Sequence, residues 1–157
     1  MTILSLGAPW RQTHMGYWLA QASARFDARV LALMAANDSM PLALANLAAR
    51  GHLTSSHVHI TRHLALAGSR LTDLASSAGV SKQAMGKLVD QCEAWGLVQR
   101  QPDLRDARAC LVLFTSAGLS WLQAFQDAVT QAQTELQDAV GQQVATVMAL
   151  GLEAYAA

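Results

Sequence analysis

The chain has 157 residues, of which 52% are hydrophobic, and eleven lysines and arginines balance eleven acids to a formal charge of zero. This length predicts a single domain with a core of its own, and zero charge argues against a simple polycation. The charge is unevenly spread, because residues 1–108 carry +4 and residues 109–157 carry −4. Such a separation is expected when one part of a protein faces DNA and another does not.

The first predicted element is a long helix over residues 9–36. Its apolar residues keep to one stripe, which comprises Met15, Trp18, Leu19, Ala22, Phe26, Val30 and Leu33. Residues 37–41 break the pattern, and Pro41 is expected to open a short helix that runs to about Arg50. Thr54 is expected to cap the next helix, which continues through Ala67.

Residues 71–95 read as two short helices joined by a tight turn. Thr72 is the expected cap of the first helix, and Gly79 fits a left-handed residue at its end. Ser81 is expected to cap the second helix, which reaches to about Trp95 and ends before Gly96. Two helices in this order, followed by strands, favour a helix-turn-helix over an ordinary solvated helix pair.

The second of these helices has the composition of a DNA recognition helix. Its outer face carries Lys82, Gln83 and Lys87 near the amino end, which is the part that meets base edges. The lysines suit phosphates or guanine, the glutamine suits adenine, and Ser81 is expected to touch phosphate while capping. Gly86 on the outer face carries no side chain, so we expect the backbone there to approach DNA closely.

A β-hairpin with a charged tip is predicted next. Residues 97–99 begin one strand, residues 109–114 form the return strand, and residues 102–108 form the turn between them. Arg100, Arg105 and Arg108 supply positive charge, and a tip arginine suits a minor groove. Asp106 is expected to orient an arginine through a charge-assisted hydrogen bond.

The carboxyl-terminal part is predicted to form two further helices, with Thr115 capping the first and Gly141 separating them. The first stripe comprises Leu122, Phe125, Val129, Ala132, Leu136 and Val140. The second comprises Val144, Val147, Met148, Leu152 and Tyr155. Residues 9–36 and 116–156 thus carry more apolar surface than one winged domain needs, which predicts a homodimer. The alternative is that both stripes pack within one chain.

Residues 70–115 resemble the MarR family of bacterial transcriptional regulators. The family pattern is close to L-x-x-L-A-x-x-x-G-V-S-K-Q-A, then L-V-D-x-L-E-x-x-G-L-V, then D-P-x-D-x-R-x-x-x-V-x-L-T-x-x-G. The matching positions are residues 71–75, 79–84, 88–90, 93, 96–98, 103, 106, 108 and 114–118. Leu104 replaces a common proline, Ala107 a basic residue, Cys92 a leucine and Gly86 a polar residue. The change at 107 bears on the strength of wing binding rather than on its placement.

The resemblance implies a mainly α fold with a small β-hairpin, in which residues 52–115 form a winged helix-turn-helix flanked by long dimerisation helices. It implies a non-enzymatic regulator that acts as a repressor, whose dimer places two recognition helices about 34 Å apart on a palindromic operator. No phosphate loop, nucleophile elbow or paired-carboxylate constellation points to an enzyme instead.

The resemblance also implies an aromatic effector bound in a crevice between the dimer helices and the winged domain. The residues expected to line it are Met15, Trp18, His59 and His63. No cofactor is expected. A metal-responsive regulator is an alternative, because His59 and His63 share a helix face, but the spacing supplies no third ligand. A winged-helix module that binds protein and has lost its DNA affinity is the other alternative.

Two cysteines are too few for a disulfide framework. Cys92 is expected to be a small core residue, and Cys110 lies on a strand near the wing, so thiol sensing is the less favoured reading.

Residues 1–10 lack a signal-peptide pattern, and no apolar run is long enough to span a membrane. These features predict a cytoplasmic protein.

Overall fold

The structure, a computed structural model, describes residues 9–38, 52 and 54–157. A short 3-10 helix, Pro9–Gln12, precedes the first long helix α1, Met15–Ala35. The long helix begins at Met15 rather than at residue 9, because the His14 ring accepts a hydrogen bond from the Tyr17 N–H at 3.2 Å and caps it. The short helix expected between Pro41 and Arg50 lies outside the described residues.

Helix α2, Ser55–His63, begins after Thr54 as expected but ends earlier than Ala67. Leu64 leaves the helical conformation, with φ −72° and ψ 115°, and its side chain is buried in the core. Burial of Leu64 therefore prevails over the helical periodicity that continues through Ala67. The chain then forms a two-residue strand β1, Ser69–Arg70.

Helices α3, Leu71–Ser77, and α4, Lys82–Ala94, form the predicted helix-turn-helix. The expected cap at Thr72 is wrong, because α3 already begins at Leu71 and Arg70 is its N-cap residue. Gly79 adopts φ +66° in the turn, a conformation that glycine takes without strain. Ser81 caps α4 as predicted, since its Oγ accepts a hydrogen bond from the Ala84 N–H at 3.1 Å.

Strands β2, Val98–Asp103, and β3, Asp106–Phe114, form an antiparallel hairpin, and β1 joins the other edge of β3. The wing therefore belongs to a three-stranded sheet of order β1-β3-β2 rather than to a lone hairpin. Its strands are longer than predicted, so the connection shrinks from residues 102–108 to Leu104 and Arg105. Val98 pairs with Phe114, and the register shifts between Pro102 and Asp103.

Helix α5, Ser116–Val140, and helix α6, Gln142–Ala156, follow Thr115 and meet at Gly141, as predicted. The buried line of α5 differs from the expected stripe and comprises Trp121, Ala124, Ala128 and Ala132. These residues pack in one core with α1 and with residues 54–115, which we call the winged unit. The other fully or nearly buried apolar residues of that core are Val30, Met34, Ile60, Leu64, Leu74, Ala75, Met85, Val89, Cys92, Leu97, Val98 and Val112.

The sheet and α5 meet at a tight turn around Thr115, which we call the corner. Thr115 donates its backbone N–H to the Leu97 carbonyl at 3.0 Å, and its Oγ1 accepts a hydrogen bond from the Gly118 N–H at 3.0 Å. A Cβ on Gly118 would lie 2.0 Å from the Leu97 carbonyl oxygen, which is far inside contact distance. The segment Thr115–x–x–Gly118 is therefore a structural requirement of this corner rather than a DNA contact.

Candidate DNA-binding surface and dimer face

The outer side of α4 presents the polar residues expected to read DNA. Ser81, Lys82, Gln83 and Lys87 are all exposed, while Met85, Val89 and Cys92 are buried behind them. Burial of three residues at helical spacing fixes the rotation of the helix, because turning it would expose them. The structure thus brings the four predicted residues to one exposed helix surface.

Gly86 lies at the side of that surface and is half-buried. A Cβ built on it would meet Leu71 Cδ2 of α3 at 3.9 Å, an ordinary van der Waals contact. That is the one contact found within 4 Å of such a Cβ among the described residues, so a close approach of DNA to the backbone at Gly86 stays a prediction.

Arg100 is engaged within the chain. Its guanidinium donates to Asp90 Oδ1 at 2.6 Å and to the Glu93 carboxylate, and its backbone N–H donates to Glu93 Oε1 at 3.1 Å. These contacts tie β2 to the outer edge of α4. Because two acids neutralise its charge, Arg100 positions the recognition helix against the wing rather than offering an uncompensated cation.

Arg70 and Asp103 form the principal ion pair at the wing, which the sequence did not indicate. Arg70 donates from Nε at 3.0 Å and from Nη2 at 2.7 Å to one carboxylate oxygen of Asp103, which is 7% exposed. The other oxygen accepts the Arg105 N–H at 2.9 Å. This backbone hydrogen bond first, and the Arg70 side chain second, hold the pKa of Asp103 below its ordinary value.

Strand alternation could not have revealed this pair. Val98 points inward, so a period of two places positions 100 and 102 inward and Asp103 outward. The register shift after Pro102 reverses that pattern and turns Asp103 toward Arg70. A β-bulge of this kind leaves no clear trace in the sequence.

Asp106 does not have the role expected of it. Its Oδ1 accepts the Arg108 backbone N–H at 3.1 Å, and its Oδ2 lies 4.0 Å from Arg70 Nη2. The arginine-orienting role therefore falls mainly to Asp103, and the oriented residue is Arg70 rather than a tip arginine. Asp106 instead fixes the backbone where β3 begins.

Arg11 and Arg25, at the amino-terminal end, are exposed and form no ion pair with the described residues, and the other lysines and arginines of the described chain fall into two groups. Arg29, Arg62, Arg70 and Arg100 each form an ion pair with an acidic residue. The exposed residues Lys82, Lys87, Arg105 and Arg108 form none with any residue that the structure describes. The uncompensated charge of the winged unit is thus concentrated on α4 and the wing.

The histidine cluster is divided by the structure. The buried His57 ring accepts the Thr54 N–H at Nδ1, 3.0 Å away, and its Nε2 lies 2.9 Å from Gln91 Oε1 on α4. The His59 side chain lies outside the described residues, and His63 is half-buried. Within the described parts of the chain, no group of three or more potential metal ligands is found.

Two of the residues expected to contact an effector lie on α1. Met15 and Trp18 are exposed on α1. A groove of about 420 Å³ lies on another side of α1, against Ala20, Ser23, Ala24, Asp27, Ala28 and Leu31. A second cavity of about 10 Å³, enough for one water molecule, lies inside the winged unit beside His57, Thr61, Cys92 and Trp121.

The cysteines differ in environment. Cys92 is buried, as predicted, and burial raises the pKa of its thiol to about 12, so it is almost entirely protonated at neutral pH. Cys110 is exposed on β3.

Apolar side chains are exposed on the end helices. On α6, Ala145 is the buried residue, whereas the predicted stripe faces solvent, with Val147 69% exposed. The other exposed members are Val144, Met148, Leu152 and Tyr155, and Trp10, Met15 and Trp18 are exposed at the amino-terminal end. The α6 stripe is therefore not packed against the part of its own chain that the structure describes, and the homodimer stays a prediction that this exposure favours. Among the helices that the structure describes, none is long and apolar enough to cross a membrane.

Part of the chain is similar to a known protein family. Residues 53–109 match the model of the MarR family. No curated relative matches the sequence. The range that matches covers α2, the helix-turn-helix and most of the wing, which are the elements that carry the candidate DNA-binding residues.

Solved structures share the fold over nearly the whole chain. The transcriptional repressor CouR, bound to a 23-mer DNA duplex, is 20% identical with a TM-score of 0.67, over 94% of this chain and 96% of that one. A MarR-family regulator from Rhodococcus sp. RHA1 is 18% identical with a TM-score of 0.68, over 90% and 91%. The Mycobacterium tuberculosis MarR family protein Rv2887, in complex with p-aminosalicylic acid, is 21% identical with a TM-score of 0.63, over 92% and 100%.

Proposed function

We propose that the chain is a MarR-type transcriptional regulator, a cytoplasmic homodimer that binds a palindromic operator in a sequence-specific manner and represses transcription; the match of residues 53–109 to the MarR family model supports this. The observation that carries this proposal is the division of the cations. Within residues 54–115, Arg62, Arg70 and Arg100 are neutralised by acids, whereas Lys82, Lys87, Arg105 and Arg108 are exposed and form no ion pair with the described residues. CouR, which has a similar fold, is a repressor bound to a DNA duplex.

We assign distinct roles to the two contact elements. Lys82, Gln83 and Lys87 enter the major groove, where glutamine pairs with adenine and lysine with guanine or phosphate. Arg105 and Arg108 hold the wing on the flanking minor groove, where the negative potential is strongest. Arg100 and Asp106 position the elements that contact DNA. Arg100 holds β2 against α4, and Asp106 holds the backbone at the start of β3.

Dimerisation sets the spacing of the two recognition helices. The exposed stripe of α6 and the apolar residues at the amino-terminal end are the proposed contact between subunits. A two-fold axis between subunits makes the two half-sites of the operator inverted copies about one helical turn apart.

The direct test is binding of the protein to duplex DNA from its own upstream region and to a scrambled duplex, across 50–300 mM salt. We expect preference for the upstream duplex and a slope of log affinity against log salt of about −4 to −7, since two subunits offer eight such cations. Equal affinity for both duplexes would contradict sequence-specific binding. A folded dimer that binds neither duplex would favour the protein-interaction module instead.

Two variants separate the proposed roles. Arg108→Ala should weaken binding to upstream and scrambled DNA alike and reduce the salt slope, because it removes a phosphate-directed charge. Gln83→Ala should instead change the preference among operator variants. Arg62→Ala is the matched control, because Arg62 is paired with Asp27 at 2.6 Å outside the wing and recognition helix. Equal losses for Arg108→Ala and Gln83→Ala on all sequences would contradict this division of roles.

A small aromatic acid is the proposed effector, with Met15, Trp18, His59 and His63 as the proposed contacts. Support comes from the relative Rv2887, which has been solved in complex with p-aminosalicylic acid and with salicylic acid. Such a ligand would act by favouring one spacing of the two recognition helices. Salicylate at saturating concentration should therefore lower the affinity for upstream DNA, and an unchanged affinity would exclude this ligand class.

A further inference from the structure

The tip of the wing carries an apolar side chain with no protein contact. Leu104 is 102% exposed, as open as the side chain can be, and it is one of only two residues between β2 and β3. Exposed leucines are common on protein surfaces and need no explanation when they stand alone. Leu104 differs because the backbone around it is held in place and two exposed arginines, Arg105 and Arg108, lie in the same hairpin.

The backbone at the tip is fixed from both sides. Before Leu104, the Asp103 carboxylate accepts two hydrogen bonds from Arg70, at 3.0 and 2.7 Å. The same carboxylate accepts the Arg105 N–H at 2.9 Å and so closes a turn around Leu104. The tip is therefore preorganised, and presenting Leu104 to a partner costs little ordering of the chain.

The positive charge of the arginines near the tip indicates which class of partner fits this surface. Arg105 and Arg108 are exposed and form no ion pair with the described residues. The two acids of the tip are engaged elsewhere, since Asp103 accepts from Arg70 and Asp106 accepts the Arg108 backbone N–H. A partner that receives an apolar tip together with arginines presents negative charge outside an apolar interior. The minor groove of DNA has that arrangement, because phosphates line it and stacked bases form its floor.

We propose that Leu104 is a specificity-determining residue that inserts into the minor groove beside Arg105 and partly opens a base step there. This inference rests on the proposed DNA-binding function. Pyrimidine–purine steps such as TA and CA unstack most easily, so the wing would favour operators with such a step under its tip. The wing would then contribute sequence preference as well as charge.

The test compares four variants on the upstream duplex across the salt series. Leu104→Ser should weaken binding roughly tenfold, which corresponds to the loss of two partly buried leucines, one in each subunit. Its salt slope should be unchanged, because no charge is lost. Arg105→Ala should instead reduce the slope by about two, one cation for each subunit. Leu104→Met should bind within about twofold of the parent, and Leu66→Ser, which alters an exposed leucine outside the wing, should have no effect.

A spectroscopic measurement reports on the base step itself. With 2-aminopurine placed at the TA and CA steps that flank the protected region, the parent protein and Leu104→Met should raise its fluorescence, whereas Leu104→Ser should not. Parent-like affinity and fluorescence for Leu104→Ser would overturn the inference while leaving DNA binding intact. A changed salt slope for Leu104→Ser would also overturn it. Failure of the parent protein to bind any duplex would overturn the proposed function, and this inference with it.

Discussion

The winged unit, residues 54–115, and the last helix α6 are both built from amphipathic segments, yet they place their apolar residues in opposite environments. In the winged unit Leu74, Met85 and Val89 are fully buried, and exposed charge surrounds them. On α6 the apolar stripe is exposed, and its buried residue is Ala145. Periodicity therefore predicts a helix and its apolar face in both regions, but only the fold reveals whether the same chain covers that face.

The corner between the sheet and α5 offers the strongest way to disrupt the winged unit. Gly118→Ala should lower the free energy of unfolding by about 3 kcal/mol, because the added methyl group meets the Leu97 backbone carbonyl, which cannot move without opening the corner. Urea denaturation followed by circular dichroism measures this loss. A parent-like unfolding midpoint would show that the corner is looser than described.

The exposed face of α6 provides the converse test. Val147→Asp should leave the fold of each chain intact but raise the dimer dissociation constant at least a hundredfold, because it places two carboxylates in an apolar interface. Sedimentation equilibrium measures the dissociation constant, and circular dichroism checks the helical content. Gln133→Asp, an exposed polar position on α5, is the matched control. A dimer that tolerates Val147→Asp would place the subunit contact elsewhere.

The Arg70–Asp103 pair should make wing stability depend on acid pH. The Arg105 backbone N–H first and the Arg70 side chain second lower the folded-state pKa of Asp103 from 3.8, so these contacts stabilise the fold fully above that value and their contribution is lost as the pH falls through the folded-state pKa. The difference in free energy of unfolding between parent and Asp103→Asn should therefore be largest at neutral pH and shrink below pH 4.

Denaturation in urea from pH 2.5 to 7 measures this difference. Asp138→Asn serves as the control, because Asp138 is an exposed carboxylate on α5 away from the wing. A difference between parent and Asp103→Asn that is the same at every pH would show that the carboxylate charge is not what Arg70 binds.

Gly86 gives the smallest and most discriminating effect. Gly86→Ala should stabilise the chain by up to about 1 kcal/mol through helix propensity, since a Cβ there makes only an ordinary contact with Leu71. Affinity for upstream DNA should stay within about twofold. A tenfold loss would mean that the backbone at Gly86 approaches DNA closely, as the sequence alone suggested.

The sequence predicts well those features that depend on neighbouring residues. The caps at Ser81 and Thr115, the turn at Gly79 and the break at Gly141 follow from local chemistry and are confirmed. The sequence does not predict features that depend on contacts between residues far apart in the chain. The burial of Leu64 ends α2, and the register shift after Pro102 turns Asp103 inward.

The same limit applies to predicting the candidate site from the sequence. Exposure of Lys82, Gln83 and Lys87 follows from the apolar spacing behind them and could be predicted. The engagement of Arg100 by Asp90 and Glu93 joins a strand to a helix, and the Arg70–Asp103 pair joins β1 to the end of β2. Such pairings between elements depend on register and on the crossing of elements, which spacing within one segment does not encode.

The most direct test of the account is the mass of the protein–DNA complex. Sedimentation velocity of the protein with labelled upstream duplex should give a single complex that contains two chains of 16.8 kDa each, and the scrambled duplex should form little complex at the same salt. A complex with one chain per duplex, or equal amounts of complex on both duplexes, would contradict a dimeric, sequence-specific regulator.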